Sequence, residues 1–146
     1  MKPQYRKTSH SVYDIKYNLV WITKYRKPVM VGEIAKRIRD LIQQTCTSLD
    51  VEIIKGHVSR DHVHIMVSAP PYISVSKLVQ SVKGRTSHKM LSEYRGLSRA
   101  FWGRHLWARG YFVASTGTLT DDVIEKYIEE QEQMERARDE EFEVEQ

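Results

Sequence analysis

The chain has 146 residues, a length that suits one domain with room for a buried core. Its composition, 40% hydrophobic and 29% charged, is typical of soluble globular proteins and excludes the disordered and fibrous classes. We expect neither a membrane span nor a secretory signal, because no apolar run is long enough for either. The single cysteine, Cys46, excludes an internal disulfide, fits a reducing cytoplasm, and is expected to be a small buried hydrophobe.

Charge is distributed unevenly along the chain. Residues 129–146 hold nine acidic side chains against two arginines, a balance of −7, so the total of +4 leaves +11 on residues 1–128. A body this basic favours a polyanionic partner, most simply nucleic acid. We place a single domain at residues 1–137 and treat 138–146 as an acidic C-terminal extension, either a solvated helix end or a disordered tail.

The first half of the chain predicts a strand, a helix and a hairpin. Apolar and polar residues alternate over Ser11–Thr23, which predicts a long strand with one buried face. Helical spacing of apolar residues then predicts a helix over roughly Gly32–Leu49. Val51–Val58 and Asp61–Ala69 follow as two strands joined by a tight turn.

The second half predicts a helix after Ser74, an irregular stretch over 92–110, a strand at Tyr111–Ser115, and a final helix capped by Thr118 or Thr120. The order strand, helix, strand, strand, helix, strand is that of the ferredoxin-like split βαβ fold, in the α+β class. Two helices would cover one face of an antiparallel sheet. The other face would be open to an additional helix, here the C-terminal one, or to a ligand.

Basic and aromatic side chains gather between the second predicted helix and the last strand. Lys83, Arg85 and Lys89 lie on or near the polar side of that helix, either as a solvated face or in close approach to a phosphate backbone. Arginines and tryptophans then alternate in the irregular stretch. Such an arrangement could stack on nucleic acid, or Trp102 and Trp107 could anchor the loop to the core.

The strand after the hairpin turn carries a pair of histidines. Successive side chains of a strand point to opposite faces, so His62 and His64 share one face while Val63, Ile65 and Val67 point to the other. We expect the three apolar residues to pack under the helices and the imidazoles to lie on the open face. The pair could form a catalytic metal site, a structural metal site or a hydrogen-bonded polar pair. Imidazole suits Zn, Mn, Ni or Cu better than Mg, which leaves the metal open.

The final predicted helix carries a second pair of candidate residues. Tyr127 and Gln131 are four residues apart and therefore lie on one face, one turn from each other. They offer a nucleophile and a metal ligand. Taken alone, each of them is better explained structurally, as a packed tyrosine and a hydrogen-bonded glutamine at the edge of the core.

The chain resembles the single-tyrosine HUH transposases of the insertion sequence 200/605 family, whose small bacterial and archaeal elements move as single-stranded DNA. The resemblance runs from about Ser9 to Gln131. It is carried, in order, by VWITKYRK at 20–27, VEII at 51–54, DHVHI at 61–65, KGRTS at 83–87 and YIEEQ at 127–131.

The resemblance implies a metal-dependent endonuclease and strand transferase. The HUH histidines of the family match His62 and His64, Tyr127 matches the nucleophile, and Gln131 would complete a site for Mg or Mn. Attack by Tyr127 would give a 5′-phosphotyrosine and a free 3′-hydroxyl. Because the bond energy stays in the protein–DNA link, no nucleotide cofactor is needed.

The resemblance also implies partners. Members of the family bind single-stranded DNA hairpins as homodimers in which the tyrosine helix of one subunit completes the histidine site of the other. No membrane partner is expected. Two departures stand out: Asn18 replaces a histidine found in many relatives, and the acidic extension lies outside the resemblance. By position, the expected DNA contacts are Lys24, Arg26, Lys27, Lys83, Arg85 and Lys89.

Two other functions fit the same residues. A non-catalytic hairpin-binding module would need only the basic body, and it predicts salt-sensitive binding without cleavage. A domesticated or replication-type HUH nuclease would use the same site and differ in biological role rather than in chemistry.

Overall fold

A computed structural model of the chain describes residues 5–101, 105–115 and 120–141. The strands in chain order are β1 (Arg6–Lys7), β2 (Val12–Tyr13), β3 (Lys16–Ile22), β4 (Glu52–Val58), β5 (His62–Ser68) and β6 (Phe112–Ala114). The helices are α1 (Gly32–Ser48), α2 (Val75–Glu93), α3 (Arg95–Ala100) and α4 (Asp121–Glu141). A 3₁₀ turn, Lys24–Arg26, follows β3.

The main sheet has four strands in the order β4-β5-β3-β6, and each neighbouring pair is antiparallel. This is the ferredoxin-like α+β arrangement that the sequence predicts. The predicted first strand, Ser11–Thr23, is shorter in the structure, because its beginning pairs with β1 in a separate two-stranded sheet. Arg6 fixes that small sheet by donating to the backbone carbonyls of Ser68 and Asp50, each at 2.8 Å.

One face of the main sheet is covered by α1 and α2. Val63, Ile65 and Val67 of β5 are fully buried beneath these helices, as their alternation predicts. Leu19 and Trp21 of β3 join the same core, to which α1 and α2 contribute Ile38, Leu41, Ile42, Cys46, Leu78, Val79, Val82 and Met90. The prediction that Cys46 is a small buried hydrophobe is therefore confirmed.

The stretch predicted as irregular, 92–110, contains the short helix α3. Its six residues include Gly96 and are too few to display a helical stripe, which is why periodicity did not indicate a helix. Trp107, in the same stretch, is buried: its Nε1 donates to Thr86 Oγ1 at 2.8 Å and its ring meets that of Trp21 edge-on. Trp107 thus anchors the loop, whereas Trp102 lies outside the described residues.

The second face of the sheet is crossed by α4. Tyr127 and Ile128 of this helix pack on Val20 and Ile22 of β3 and on Ala108. The helix continues to Glu141, beyond the domain boundary that we place after residue 137. No helix in the described ranges is long and apolar enough to cross a membrane.

Side-chain hydrogen bonds cap the starts of two helices. The Ser74 hydroxyl accepts a hydrogen bond from the backbone N–H of Lys77 at 3.1 Å, which caps α2. At α4, Thr120 Oγ1 accepts from the backbone N–H of Val123 at 3.4 Å. Of the two predicted caps of the final helix, Thr120 is described, and Thr118 lies outside the described residues.

Candidate metal and nucleic-acid site

The two histidines lie on the sheet face that α4 crosses. In the β3–β5 register His64 is opposite Val20 and His62 is opposite Ile22, and directly paired residues of neighbouring strands share a face. Both imidazoles are partly exposed. The predicted placement of the pair on the face away from α1 and α2 is therefore confirmed.

Asp61 fixes the orientation of the His62 ring. His62 Nδ1 lies 2.9 Å from Asp61 Oδ1, and Arg26 Nε donates to Asp61 Oδ2 at 2.9 Å. Burial alone would raise the pKa of the Asp61 carboxyl, but hydrogen bonds from His62 and Arg26 outweigh it and hold that pKa below its usual value. An ionised Asp61 accepts from Nδ1–H, which leaves the lone pair of His62 Nε2 for a metal ion.

Asn18 has the equivalent role at the second imidazole. His64 Nε2 lies 3.2 Å from Asn18 Oδ1, and since that oxygen can only accept, Nε2 carries the proton and the Nδ1 lone pair is left for a ligand. Burial, followed by the neighbouring charges of His62 and His57, lowers the pKa of His64, which Asp121 partly opposes. His64 is thus neutral at pH 7, the form that binds metals.

The donor set fits a divalent metal ion only in part. Each histidine has one ring nitrogen held by a protein oxygen and one left for a ligand, as in metal sites whose outer residues orient the ligands. The part of the chain that the structure describes contains no group of three or more His, Cys, Asp or Glu side chains that could hold a metal. The third ligand that the resemblance implies, the amide of Gln131, is not of these residue types.

Tyr127 lies in an apolar environment on the same face. Only 9% of the residue is exposed, its ring lies 5.7 Å from that of Phe112, and its buried hydroxyl has no hydrogen-bond partner among the described residues. Burial raises the pKa of the Tyr127 hydroxyl above its usual value. In this arrangement no hydrogen bond from the described residues activates the hydroxyl.

Gln131 faces the strand on the far side of β3 from the histidines. Its amide lies beside Gly110, where a Cβ atom would come 3.7 Å from Gln131 Oε1. Gly110 has a φ of 84°, which favours glycine, and it leads into β6, whereas the histidines belong to β5. Among the described residues no hydrogen bond joins the Tyr127 hydroxyl to the histidines, and the roles predicted for the two pairs remain predictions.

The basic turn after β3 contacts acceptors within the chain. Lys24 Nζ lies 3.9 Å from a Glu135 carboxylate oxygen, and Lys27 Nζ donates to the backbone carbonyl of Ala100. Arg26 forms ion pairs with three carboxylates, those of Asp61, Glu125 and Glu132. Their predicted role in DNA binding is untested.

The basic residues of α2 are of two kinds. Lys83 is partly buried, and its Nζ donates to the carbonyls of Ala108 and Gly110 at 2.7 and 3.0 Å. Burial lowers the pKa of Lys83 to about 8. Arg85 and Lys89 are exposed beside a groove of about 520 Å³ that includes Gly84, His88, His105 and Trp107. Arg85 and Lys89 are thus exposed to solvent, whereas Lys83 supports the loop beside Gln131.

Sequence reasoning missed the contacts between α4 and the turn after β3. The carboxylate of Glu135, 5% exposed, accepts from the backbone N–H of Tyr25 at 3.1 and 3.3 Å. Tyr25 and Arg26 have backbone φ values of 58° and 54°, a left-handed region that residues other than glycine rarely adopt. These partners are more than one hundred residues apart, so no local pattern reveals them. The one usable sequence signal was Asp61, directly before His62, whose carboxylate contacts both His62 and Arg26.

Comparisons with known proteins find relatives over most of the chain. A family model described as "Transposase IS200 like" matches residues 11–131. The ISDra2 transposase TnpA of Deinococcus radiodurans is 35% identical over 120 residues, covering 82% of this chain and 86% of that protein. The transposase for insertion sequence element IS200 of Salmonella typhimurium is 29% identical over 125 residues, covering 84% of this chain and 82% of that protein.

Solved structures give the same result. A crystal structure of a protein described as a transposase, from Deinococcus radiodurans R1, superposes with a TM-score of 0.79 at 32% identity over 86% of this chain and 97% of that one. A REP-associated tyrosine transposase bound to a REP hairpin shares the fold, with a TM-score of 0.54 at 12% identity over 88% of this chain and 68% of that one. With a family model matched across most of its length, the chain belongs to the IS200-like transposase family.

Proposed function

We propose that this transposase cuts and rejoins single-stranded DNA at a divalent metal site, with Tyr127 as the nucleophile. The observation that supports this best is the pair His62 and His64, side by side on one sheet face, each with one nitrogen hydrogen-bonded to Asp61 or Asn18 and the other left for a ligand. A pair of histidines that served only as hydrogen-bonded polar residues would not need both rings oriented in this way.

The reaction is a transesterification. The Tyr127 oxygen attacks the scissile phosphorus, the bond from phosphorus to the 3′-oxygen breaks, the tyrosine proton passes to solvent, and the 3′-oxygen takes up a proton. The products are a 5′-phosphotyrosine and a free 3′-hydroxyl, and the reverse reaction with another 3′-hydroxyl joins strands. A bound Mg²⁺ or Mn²⁺ would supply Lewis-acid chemistry, for which His62, His64 and Gln131 are the proposed ligands.

We propose that α4 takes another position in the active protein than the one described. In the described position the Tyr127 hydroxyl is buried without a hydrogen-bond partner among the described residues, and Gln131 lies beside Gly110. We propose a homodimer in which α4 of one subunit presents Tyr127 and Gln131 to the histidines of the other. An exchange of that kind would remove the unpaired hydroxyl from its apolar environment and would supply the third ligand.

Single-stranded DNA with hairpins is the proposed substrate. The body of the chain carries +11 outside its acidic end, and Arg85 and Lys89 are exposed on α2 beside the groove. A solved relative in fold is described as bound to a REP hairpin. Both observations favour a folded single strand as the ligand rather than a small molecule.

A covalent-adduct assay tests the proposal. The protein is incubated with hairpin-bearing single strands and Mn²⁺ or Mg²⁺, and a denaturing gel should show a protein–DNA adduct that is absent in Tyr127→Phe. Tyr72→Phe is the matched control, because Tyr72 is 64% exposed and lies outside the proposed site. An adduct that persists in Tyr127→Phe contradicts the choice of nucleophile.

The Tyr127 hydroxyl, buried without a hydrogen-bond partner among the described residues, favours a second candidate, a non-catalytic hairpin-binding module. It predicts that the wild-type protein binds hairpins, that binding weakens steeply with salt, and that no adduct forms with either metal. The same gel, run beside a binding measurement at two salt concentrations, distinguishes the two functions.

A further inference from the structure

We infer that Arg26 is a positioning residue that links the docking of α4 to the orientation of the His62 imidazole. The inference rests on the proposed function, since it gives His62 the role of a metal ligand. It concerns a residue that sequence position alone predicts to contact DNA.

The first part of the link runs from Arg26 to the histidine. Arg26 Nε donates to Asp61 Oδ2 at 2.9 Å, while the other oxygen of Asp61 lies 2.9 Å from His62 Nδ1. Each oxygen of one carboxylate is thus used, one by the guanidinium and one by the imidazole. Because Arg26 fixes the plane of the carboxylate, it also fixes the ring whose Nε2 is left for a metal.

The second part runs from Arg26 to the tyrosine helix. Its Nη1 donates to Glu132 Oε2 at 3.2 Å and its Nη2 to Glu125 Oε1 at 3.4 Å. These two glutamates flank Tyr127 and Gln131 on α4. The three nitrogens of one planar guanidinium therefore hold three carboxylates from two elements, an arrangement that the single ammonium of lysine does not reproduce.

The backbone of the turn keeps Arg26 in this place. Arg26 and its neighbour Tyr25 have φ values of 54° and 58°, a conformation that costs energy unless other contacts maintain it. One such contact is the buried Glu135 carboxylate of α4, which accepts from the Tyr25 backbone N–H. Docking of α4 thus stabilises the very turn that positions Arg26, so movement of α4 should be transmitted to Asp61 and His62.

The test compares Arg26→Lys and Glu132→Gln with the wild type by two measurements. Long-range ¹⁵N NMR of the imidazoles, without metal, reports which nitrogen of His62 carries the proton. Titration with Mn²⁺ reports metal affinity. We expect Nδ1–H at His62 in the wild type, a shift toward Nε2–H in both variants, and a loss of Mn²⁺ affinity of about 10-fold in Arg26→Lys and about three-fold in Glu132→Gln.

Matched variants control for charge alone. Arg39→Lys changes an exposed arginine on α1, and Glu129→Gln changes an exposed glutamate on α4. Both should leave the His62 tautomer and the Mn²⁺ affinity as in the wild type. Asp61→Asn is the positive control, and adding Arg26→Lys to it should produce little further change, because the two act through one carboxylate.

Several outcomes decide the inference. If Arg26→Lys keeps the wild-type His62 tautomer and Mn²⁺ affinity, the inference is overturned. It is also overturned if these quantities change in Arg26→Lys but not in Glu132→Gln, because α4 would then not be linked to His62. If Arg26→Lys does not fold by circular dichroism, Glu132→Gln provides the same test. If the wild type forms no DNA adduct while both variants still change the His62 tautomer, the proposed function fails and the positioning role stands.

Discussion

The two faces of the main sheet are built from the same strands but held by different forces. On the face under α1 and α2, Val63, Ile65 and Val67 are at most 3% exposed and belong to a large cluster of buried apolar side chains. On the face under α4, the apolar cluster is small, and His62 and His64 lie beside it with hydrogen bonds to oriented oxygens. The first face is specified by burial, which is insensitive to direction, and the second by polar contacts, which are directional.

This difference shows where the chain can change position. An apolar face buried by two helices cannot open without losing most of the core. The face under α4 depends on a few side chains and on carboxylates that meet the turn after β3. Moving α4 is therefore much less costly than moving α1 or α2, and the proposed chemistry needs such a movement.

The largest expected effect comes from the helical face. Trp21→Ala removes a fully buried ring that packs edge-on against Trp107 at a centroid distance of 6.0 Å. We expect the free energy of unfolding to fall by about 3–5 kcal/mol, measured by urea denaturation. A loss below about 1 kcal/mol would mean that the core repacks and that the contrast between the faces is weaker than the burial indicates.

A substitution on the face under α4 should reduce activity rather than stability. His62→Ala is expected to reduce strand cleavage by at least about 100-fold, because a metal ligand is removed, while hairpin affinity changes by less than about three-fold. Adduct formation and gel-shift titration on the same DNA measure the two quantities. Equal losses of cleavage and binding would instead indicate that the histidine supports the fold.

The helical face was predictable from the sequence because alternation and helical spacing decide which side chains are buried. The β5 face pattern, the bounds of α1 within one residue, and the Thr120 cap all followed from local rules. Two features could not be predicted from local patterns. Helix α3 has too few residues to show a period, and the first predicted strand is interrupted because its first residues pair with β1 in a separate sheet.

The open face was predictable only in part. Strand alternation placed His62 and His64 together, and the resemblance supplied Tyr127 and Gln131. No rule from sequence indicated that Arg26 would meet carboxylates of α4, because that contact joins residues about one hundred positions apart and depends on an unusual backbone turn. Charge patterns predict which residues are basic, but not whether a phosphate or a carboxylate is their partner.

Tyr127→Phe should increase stability while it abolishes the adduct. The hydroxyl is buried without a partner among the described residues, so its removal relieves a desolvation cost while the ring keeps its contact with Phe112. We expect a gain of about 1–2 kcal/mol in the free energy of unfolding. In Tyr72→Phe, at an exposed site, the change should stay within about 0.5 kcal/mol. A loss of stability in Tyr127→Phe would mean that the hydroxyl has a partner in solution.

The smallest expected effect concerns pH and the loop beside Gln131. Burial lowers the pKa of Lys83 from its usual value of 10.5 to about 8 in the folded protein. Between these two values the unfolded chain binds more protons, so stability rises with pH. From pH 7 to pH 9 the free energy of unfolding of the wild type, relative to Lys83→Met, should rise by less than about 1 kcal/mol, because solvent screens a side chain that is only partly buried. Lys89→Met, on the exposed side of α2, should show no such trend. A relative stability that falls with pH would contradict this prediction. It would mean that the carbonyls of Ala108 and Gly110 stabilise the Lys83 ammonium more than burial destabilises it. Lys83 would then hold the Gly110 loop against Gln131 most firmly in its charged form.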